Sequence, residues 1–153
     1  VCRGRWLLSG DASKYSLPEL ISAPAPAYVS LQSALFHHGL IEQIPALVYA
    51  VTLGRPRRVT TPLAIVSFHR VPPELFNGFQ ILPRDHAKMA TPEKALFDTL
   101  YLAPGRSRLF ANLPELEIPR GFGWRQLERY AALVKSPSRR TFLRENIERL
   151  RKR

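Results

Sequence analysis

The chain has 153 residues, and its 23 Lys and Arg against 12 Asp and Glu give a formal net charge of +11 at pH 7. This length fits one ordinary domain, and a hydrophobic content of 45% with 8 Phe, 5 Tyr and 2 Trp excludes wholesale disorder. The longest apolar runs fall far short of the roughly 20 residues that span a bilayer. The single cysteine cannot close an internal disulfide, so we expect a folded protein of the reducing cytoplasm.

The first residues, VCRGRWLLS, are typical of a β-strand. Arg3 and Arg5 lie two positions apart and therefore on one face of such a strand. Because the chain begins directly on this strand at Val1, without a methionine, we expect part of a longer protein to precede it.

A proline-containing stretch separates this strand from the rest of the chain. A short helix is expected around Leu17–Ser22, and the Ala-Pro-Ala-Pro sequence of residues 23–26 then breaks the chain. We interpret residues 1–10 as a strand remnant, residues 11–27 as a linker with a short helix, and residues 28–153 as one domain.

The segment after Tyr28 predicts an α-helix over residues 31–38. Ser30 is a favourable N-cap residue, and apolar residues recur at helical spacing from Leu31 until Gly39 supplies a C-terminal stop.

Residues 46–53 and 59–70 predict two β-strands. The turn between them carries Arg55, Arg57 and Arg58, so we expect a β-hairpin with a basic tip. Such a tip can contact nucleic-acid phosphates, although a plain charged turn explains the same residues.

Residues 79–82 and 86–90 predict two short strands, and a helix follows at once. Thr91 can cap this helix, Pro92 suits its first position, and Glu93 lies at the positive end of the helix dipole. Its apolar face consists of Leu96, Phe97, Leu100 and Tyr101.

Two charged residues of this helix bear on a possible nuclease function. An acid followed by an acid-x-Lys step is typical of metal-dependent nucleases, but Glu93 and Lys94 are adjacent, so the spacing fails. Lys94 and Asp98 are instead spaced i,i+4, and we expect a pair that contributes about a few tenths of a kcal/mol.

The C-terminal part predicts a long loop and two helices. Residues 103–123 hold three prolines and three glycines, with a short element expected around residues 116–118. Amphipathic helices follow over residues 124–134 and after Ser138. Residues 139–153 hold 7 Arg or Lys against 2 Glu, a net charge of +5 that suits either phosphate contacts or the solvated face of a packed helix.

These elements predict an α+β fold in which a small mixed or antiparallel sheet with a basic hairpin is packed by about four to five helices. No histidine has a partner at zinc-ligand spacing, and neither a Walker loop nor a GxGxxG motif occurs. Ser33 and His37 lie four apart, which predicts a helix-face hydrogen bond and not a nucleophile with its base. We therefore expect no catalytic residue, no metal and no cofactor.

Three stretches together resemble a known family. They are AYVSLQSAL at residues 27–35 with HGL at residues 38–40, the Ile-Pro step at residues 44–45, and ATPEKALFD at residues 90–98. Their order and spacing are similar to those of the AbiEi antitoxins of bacterial type IV toxin–antitoxin systems. The resemblance covers roughly residues 1–102.

The resemblance implies a division of labour within a longer regulator. Proteins of this family have an N-terminal winged helix that binds operator DNA and a C-terminal antitoxin domain of mixed α/β character. Residues 1–10 resemble the strand that closes the wing, so Arg3 and Arg5, with Arg55, Arg57 and Arg58, are the candidate DNA contacts. The antitoxin motif residues are Tyr28, Ser30, Ser33, Glu93, Lys94 and Asp98.

The resemblance also implies the partners. The toxin is a nucleotidyltransferase-like protein, which the antitoxin opposes without necessarily forming a stable complex, and operator DNA is bound through the full-length protein. A homodimer is a further possibility. We therefore expect a non-enzymatic antitoxin and transcriptional autoregulator. The alternatives are a stand-alone protein-interaction module with Arg-rich faces and a nuclease-like enzyme.

Overall fold

The computed structural model describes residues 13–103 and 115–153, so the predicted wing strand with Arg3 and Arg5 lies outside the described residues. The described part has five α-helices and one six-stranded mixed sheet, which confirms the predicted α+β class. The helices are α1 (Leu17–Ser22), α2 (Leu31–His37), α3 (Pro92–Leu102), α4 (Trp124–Ala132) and α5 (Pro137–Arg151). The strands are β1 (Ala27–Val29), β2 (Val48–Thr52), β3 (Arg57–Thr60), β4 (Ile65–Arg70), β5 (Phe79–Ile81) and β6 (Lys88–Ala90).

The sheet has the strand order β3-β4-β2-β1-β6-β5. At its centre β1 pairs antiparallel with β2 and parallel with β6, and β2 pairs parallel with β4. All three residues of β1 are buried, so both faces of the sheet are covered at this point. The sequence did not predict β1, because three residues are too few to show an alternating pattern.

The predicted β-hairpin with a basic tip is wrong. Residues 59–70 form two strands instead of one, because Pro62 lacks an N–H and the Thr61 hydroxyl binds the backbone of Ala64. The hairpin is therefore β3 with β4, and its tip is the Thr-Pro-Leu-Ala turn of residues 61–64. Arg57 and Arg58 lie in the edge strand β3, and Arg55 lies two residues before that strand.

Helix α2 ends as predicted, because Gly39 adopts a φ of +75° that L-residues with a side chain rarely take. Its beginning differs. Ser30 occupies the N-cap position, but its side chain makes no capping hydrogen bond. The Ser30 hydroxyl donates instead to the side chain of Asp98.

Helix α3 crosses the core and has the expected cap. The Thr91 side chain accepts a hydrogen bond from the Lys94 backbone N–H, and Pro92 is the first helical residue. Every residue from position 94 to 101 is buried, which is far more than one apolar stripe provides. Buried polar side chains on this helix therefore need partners in the core.

Helices α4 and α5 both pack against α3. Their buried residues in the core are Leu127, Leu143 and Ile147, among others. Ser136 caps α5, so this helix begins about two residues before the predicted start. The short element expected around residues 116–118 is absent from the described chain. That segment is instead held by a hydrogen bond from Glu117 N to Leu40 O.

The N-terminal helix α1 is attached to the same core. Leu17 and Ile21 are buried and belong to the main hydrophobic cluster.

Among the described residues, no helix combines the length and the apolar character needed to span a membrane.

Candidate functional site

The centre of the domain is a buried polar network around the Asp98 carboxylate. The hydroxyls of Tyr28 and Ser30 donate to Asp98 Oδ2 at 2.8 and 2.7 Å, and Lys94 Nζ donates to Asp98 Oδ1 at 2.6 Å. Lys94 Nζ also donates to the Leu75 carbonyl at 2.6 Å. These contacts join β1, α3 and the turn before β5, and we call Tyr28, Ser30, Lys94 and Asp98 the Asp98 network.

Aromatic rings enclose the ammonium group of this network. Lys94 Nζ lies 4.7 Å from the ring centroid of Phe97, 5.4 Å from that of Tyr130 and 5.9 Å from that of Tyr28. Ring faces carry partial negative charge, so they stabilise a desolvated cation. The Lys94 and Asp98 side chains are both 0% exposed, and no solvent reaches the pair.

The Asp98 network also requires a glycine beside it. Gly78 has a φ of +75°, and a Cβ at this position would lie 2.5 Å from Tyr130 Oη and 2.8 Å from Lys94 Cγ. The Asn77-Gly78 step was visible in the sequence only as an irregular connection, yet it is what lets the chain pass this close to the buried lysine.

Burial sets the electrostatics of the network. Complete desolvation raises the pKa of Asp98, and the Lys94 ammonium with the Ser30 and Tyr28 hydroxyls opposes that rise. Burial, followed by the charge of Asp98 and the hydrogen bond to it, raises the pKa of Tyr28 well above its ordinary range. The phenol therefore stays protonated and remains a donor.

The Lys94–Asp98 pair forms at the predicted i,i+4 spacing but in a different environment. The predicted contribution of about a few tenths of a kcal/mol holds for a solvated pair, whereas both of these side chains are fully buried. Removing one partner of a buried pair strands the other charge and costs roughly 3–5 kcal/mol.

The other two motif residues also tie segments of the backbone together. Ser33 Oγ accepts from Tyr49 N at 2.9 Å and donates to Leu47 O at 3.2 Å, so it anchors α2 to β2. This hydroxyl therefore serves the backbone of β2 in place of the hydrogen bond with His37 that the sequence predicted. Glu93 Oε1 accepts from Gly123 N at 2.9 Å and fixes the start of α4.

The three arginines near β3 do not form one flat surface. Arg57 Nη2 donates to the Ile21 carbonyl at 3.1 Å, and the guanidinium lies 5.7 Å from the Phe68 ring centroid. Arg58 is next in the strand and so projects from the opposite face, where its charge, after burial, helps to lower the pKa of His69. Arg55 precedes the strand and is exposed.

The basic C-terminal helix is only partly free for a ligand. Arg139 is turned inward, donating to Tyr101 O at 2.7 Å and Tyr101 Oη at 3.1 Å, with its guanidinium 4.0 Å from the ring centroid. Arg151 pairs with Glu128 of α4 at 3.3 Å. Arg139 therefore belongs to the core packing and not to a phosphate-binding face.

Sequence reasoning missed the network as a unit. The six motif residues could be named from their stretches, but the Leu75 carbonyl with Gly78 and the Tyr130 ring come from two segments outside those stretches. In the described ranges, no three His, Cys, Asp or Glu side chains are grouped so as to hold a metal ion.

Comparison with known proteins does not identify the chain. No protein-family model matches it, and no curated protein matches it either. A functional assignment therefore has to rest on the chain's own residues and their geometry.

Single substitutions in the Asp98 network test its energetics. We expect Lys94→Met and Asp98→Asn each to lower the free energy of unfolding by about 3–5 kcal/mol, because each leaves a buried group without its partner. The double variant should lose less than the sum of the two, since neither charge then remains. Urea denaturation of all three variants measures this.

The partly exposed pair between Lys88 and Glu19, at 2.7 Å, is the matched control. Lys88→Met should cost about 1 kcal/mol or less, because solvent screens this pair. Additive losses in the double variant, or losses at Lys94 as small as at Lys88, contradict the account.

The raised pKa of Tyr28 predicts a loss of stability at alkaline pH. As the pH rises through about 10, the unfolded chain releases this phenolic proton before the folded chain does, so the free energy of unfolding falls. Tyr28→Phe loses a hydrogen bond at neutral pH but cannot contribute to that fall. The difference in unfolding free energy between the two proteins should therefore shrink from about pH 8 to 11.

Chemical denaturation of both proteins across this pH range measures the difference. Burial also raises the pKa of Tyr15 and Tyr49, but both proteins contain these residues, so their contributions cancel. A difference that stays constant with pH contradicts a Tyr28 phenol held protonated by the fold.

Proposed function

We propose that this domain is the antitoxin domain of a type IV toxin–antitoxin regulator of the AbiEi type. It acts in the cytoplasm, counteracts a nucleotidyltransferase-like toxin and performs no catalysis itself. The observation that carries the proposal is that two motif stretches about 70 residues apart in the chain meet in one place. Tyr28 and Ser30 of the first both donate to Asp98 of the second.

This convergence supports one origin for the motif residues. If the two stretches matched a family by chance, there would be no reason to expect their side chains to hydrogen-bond to each other in the fold. Here three of the six motif residues donate to the carboxylate of a fourth, Asp98, and Ser33 and Glu93 fix the adjoining helices. A structural role for all six residues supports treating them as one motif.

The same geometry argues against a nuclease that uses these residues. A general acid, base or metal-binding carboxylate has to come within hydrogen-bond reach of the substrate or its water. Lys94 and Asp98 are 0% exposed and already have partners, and Glu93 is occupied by the Gly123 N–H. Their role in this proposal is to shape the domain.

Transcriptional autoregulation belongs to another part of such a regulator. In the family that the sequence resembles, a winged helix reads the operator, and base readout requires an element that enters a groove. Phosphate contacts by the arginines add affinity and register only. The contacts at Arg3, Arg5, Arg55, Arg57 and Arg58 stay predictions.

Growth rescue tests the antitoxin function directly. The chain is co-expressed with the product of its neighbouring gene, which this proposal expects to be a nucleotidyltransferase-like toxin, and growth is compared with that of cells expressing that product alone. We expect the chain to restore growth. Glu93→Gln should restore it equally, because the amide oxygen can still accept from Gly123 N and no catalysis depends on the carboxylate.

Two outcomes contradict the proposal. One is a chain that is expressed and folded but leaves the toxin fully active. The other is a folded Glu93→Gln variant that no longer protects, which would favour an enzymatic role. Matching far-ultraviolet circular dichroism and melting temperature of the two proteins establish that both are folded.

A further inference from the structure

The outer edge of β3 presents unpaired backbone groups. In the described sheet β3 is a terminal strand, with β4 on one side and no strand on the other. Thr61 N donates to Ala64 O at the hairpin end, which makes this pair a hydrogen-bonded one. Hydrogen-bonded and non-hydrogen-bonded pairs alternate in an antiparallel ladder, so Val59 and Arg57 bond to β4 while Arg58 and Thr60 direct their N–H and C=O groups outward.

The charged residues in the chain segment that forms this edge are all basic. Residues 43–73 contain four arginines and no acidic residue. Arg55, Arg57, Arg58 and Arg70 are all exposed, and in the antiparallel register Arg70 lies at the same end of the hairpin as Arg55. The unpaired edge is therefore surrounded by positive charge without a balancing carboxylate nearby in the chain.

A groove of about 420 Å³ lies beside the basic end of this edge, on the side of α1. The nearby hydroxyls are satisfied internally, because Thr52 donates to Pro26 O and Ser22 donates to Ala25 O. Arg55 and Arg57 also line the groove, and Arg55 has no ion pair among the described residues. The donors left for a ligand are thus guanidinium groups, which suit a carboxylate.

We propose that the outer edge of β3 docks an extended acidic segment of a partner protein, which adds to the sheet as a seventh strand. The outward N–H and C=O groups of Arg58 and Thr60 hydrogen-bond the main chain of the segment. Its acidic side chains pair with Arg57 on one face and Arg58 on the other, because side chains of an added strand alternate in the same way. This inference does not depend on the proposed antitoxin function.

Two other occupants fit the edge less well. A DNA backbone offers no donors for the outward carbonyls of Arg58 and Thr60, whereas a peptide strand satisfies donors and acceptors together. A second copy of this edge would set arginines against arginines, and like charges across strands are destabilising. An acidic strand is complementary in both respects.

A capped eight-residue peptide of Glu-Glu-Val-Val repeats is the probe, because it places Glu on both faces of an added strand. It is titrated into the ¹⁵N-labelled 153-residue chain, and amide shifts and hydrogen exchange are followed by NMR. We expect the amides of Arg58 and Thr60 to become protected by about tenfold or more, corresponding to at least 1.4 kcal/mol. The amides of Arg57 and Val59 are already bonded to β4 and should change little.

Matched variants separate backbone pairing from charge. Thr60→Pro removes the outward N–H without removing a bond to β4, and it should weaken peptide binding by about tenfold. Thr60→Ala keeps the N–H and should bind like the parent. Arg58→Gln should weaken binding and reduce its dependence on salt. Unchanged β4 amide shifts in each variant establish that the hairpin is intact.

Four results would overturn the proposal. The first is equal binding of a peptide with Lys in place of Glu, and the second is a Thr60→Pro variant that binds like Thr60→Ala with the hairpin intact. The third is protection only on α5 or on the opposite edge strand β5, which would indicate general charge attraction or a different edge. The fourth is a 16-base-pair DNA duplex that protects the Arg58 and Thr60 amides as strongly as the acidic peptide, which would assign the edge to nucleic acid.

Discussion

The rest of the structure depends on one buried ion pair, Lys94 with Asp98. The Asp98 carboxylate accepts three hydrogen bonds. The Lys94 ammonium donates to the Leu75 carbonyl and is surrounded by aromatic rings. Through these contacts α3 is joined to the central strand β1, to the turn before β5 and to α4. A hydrophobic replacement could be as stable, but it would not dictate which segments meet, since only complementary partners satisfy buried charges.

This constraint explains how the domain is organised around a very short strand. With three residues, β1 forms few ladder bonds of its own, yet it holds the middle of the sheet. Tyr28 and Ser30, in and just after that strand, fix it to α3 from one side. In the described sheet β3 and β5 are the two edge strands. The β5 edge lies close to this centre, because the Phe79 ring stacks on Tyr28 with centroids 4.9 Å apart, whereas β3 lies three strands away from β1 and carries the arginines.

Local patterns predicted most of the elements, including α2, α3 and the two short strands β5 and β6. They failed where tertiary contacts decide the outcome. Pro62 splits the predicted strand into β3 and β4, which form the hairpin, and β2 pairs parallel with β4 and not antiparallel with the strand that follows it. The i,i+4 spacing of Lys94 and Asp98 was visible, but their burial depends on Tyr28, Leu75 and Tyr130, which are remote in the chain.

The most direct test of the central claim is NMR observation of the lysine side-chain ammonium groups at neutral pH. The chain has five lysines, and ammonium protons in contact with water exchange too quickly to be seen. The account predicts a protected signal assigned to Lys94, hydrogen-bonded to the Asp98 carboxylate and lost in a folded Asp98→Asn variant. A Lys94 ammonium that exchanges as fast as the exposed ones would contradict it.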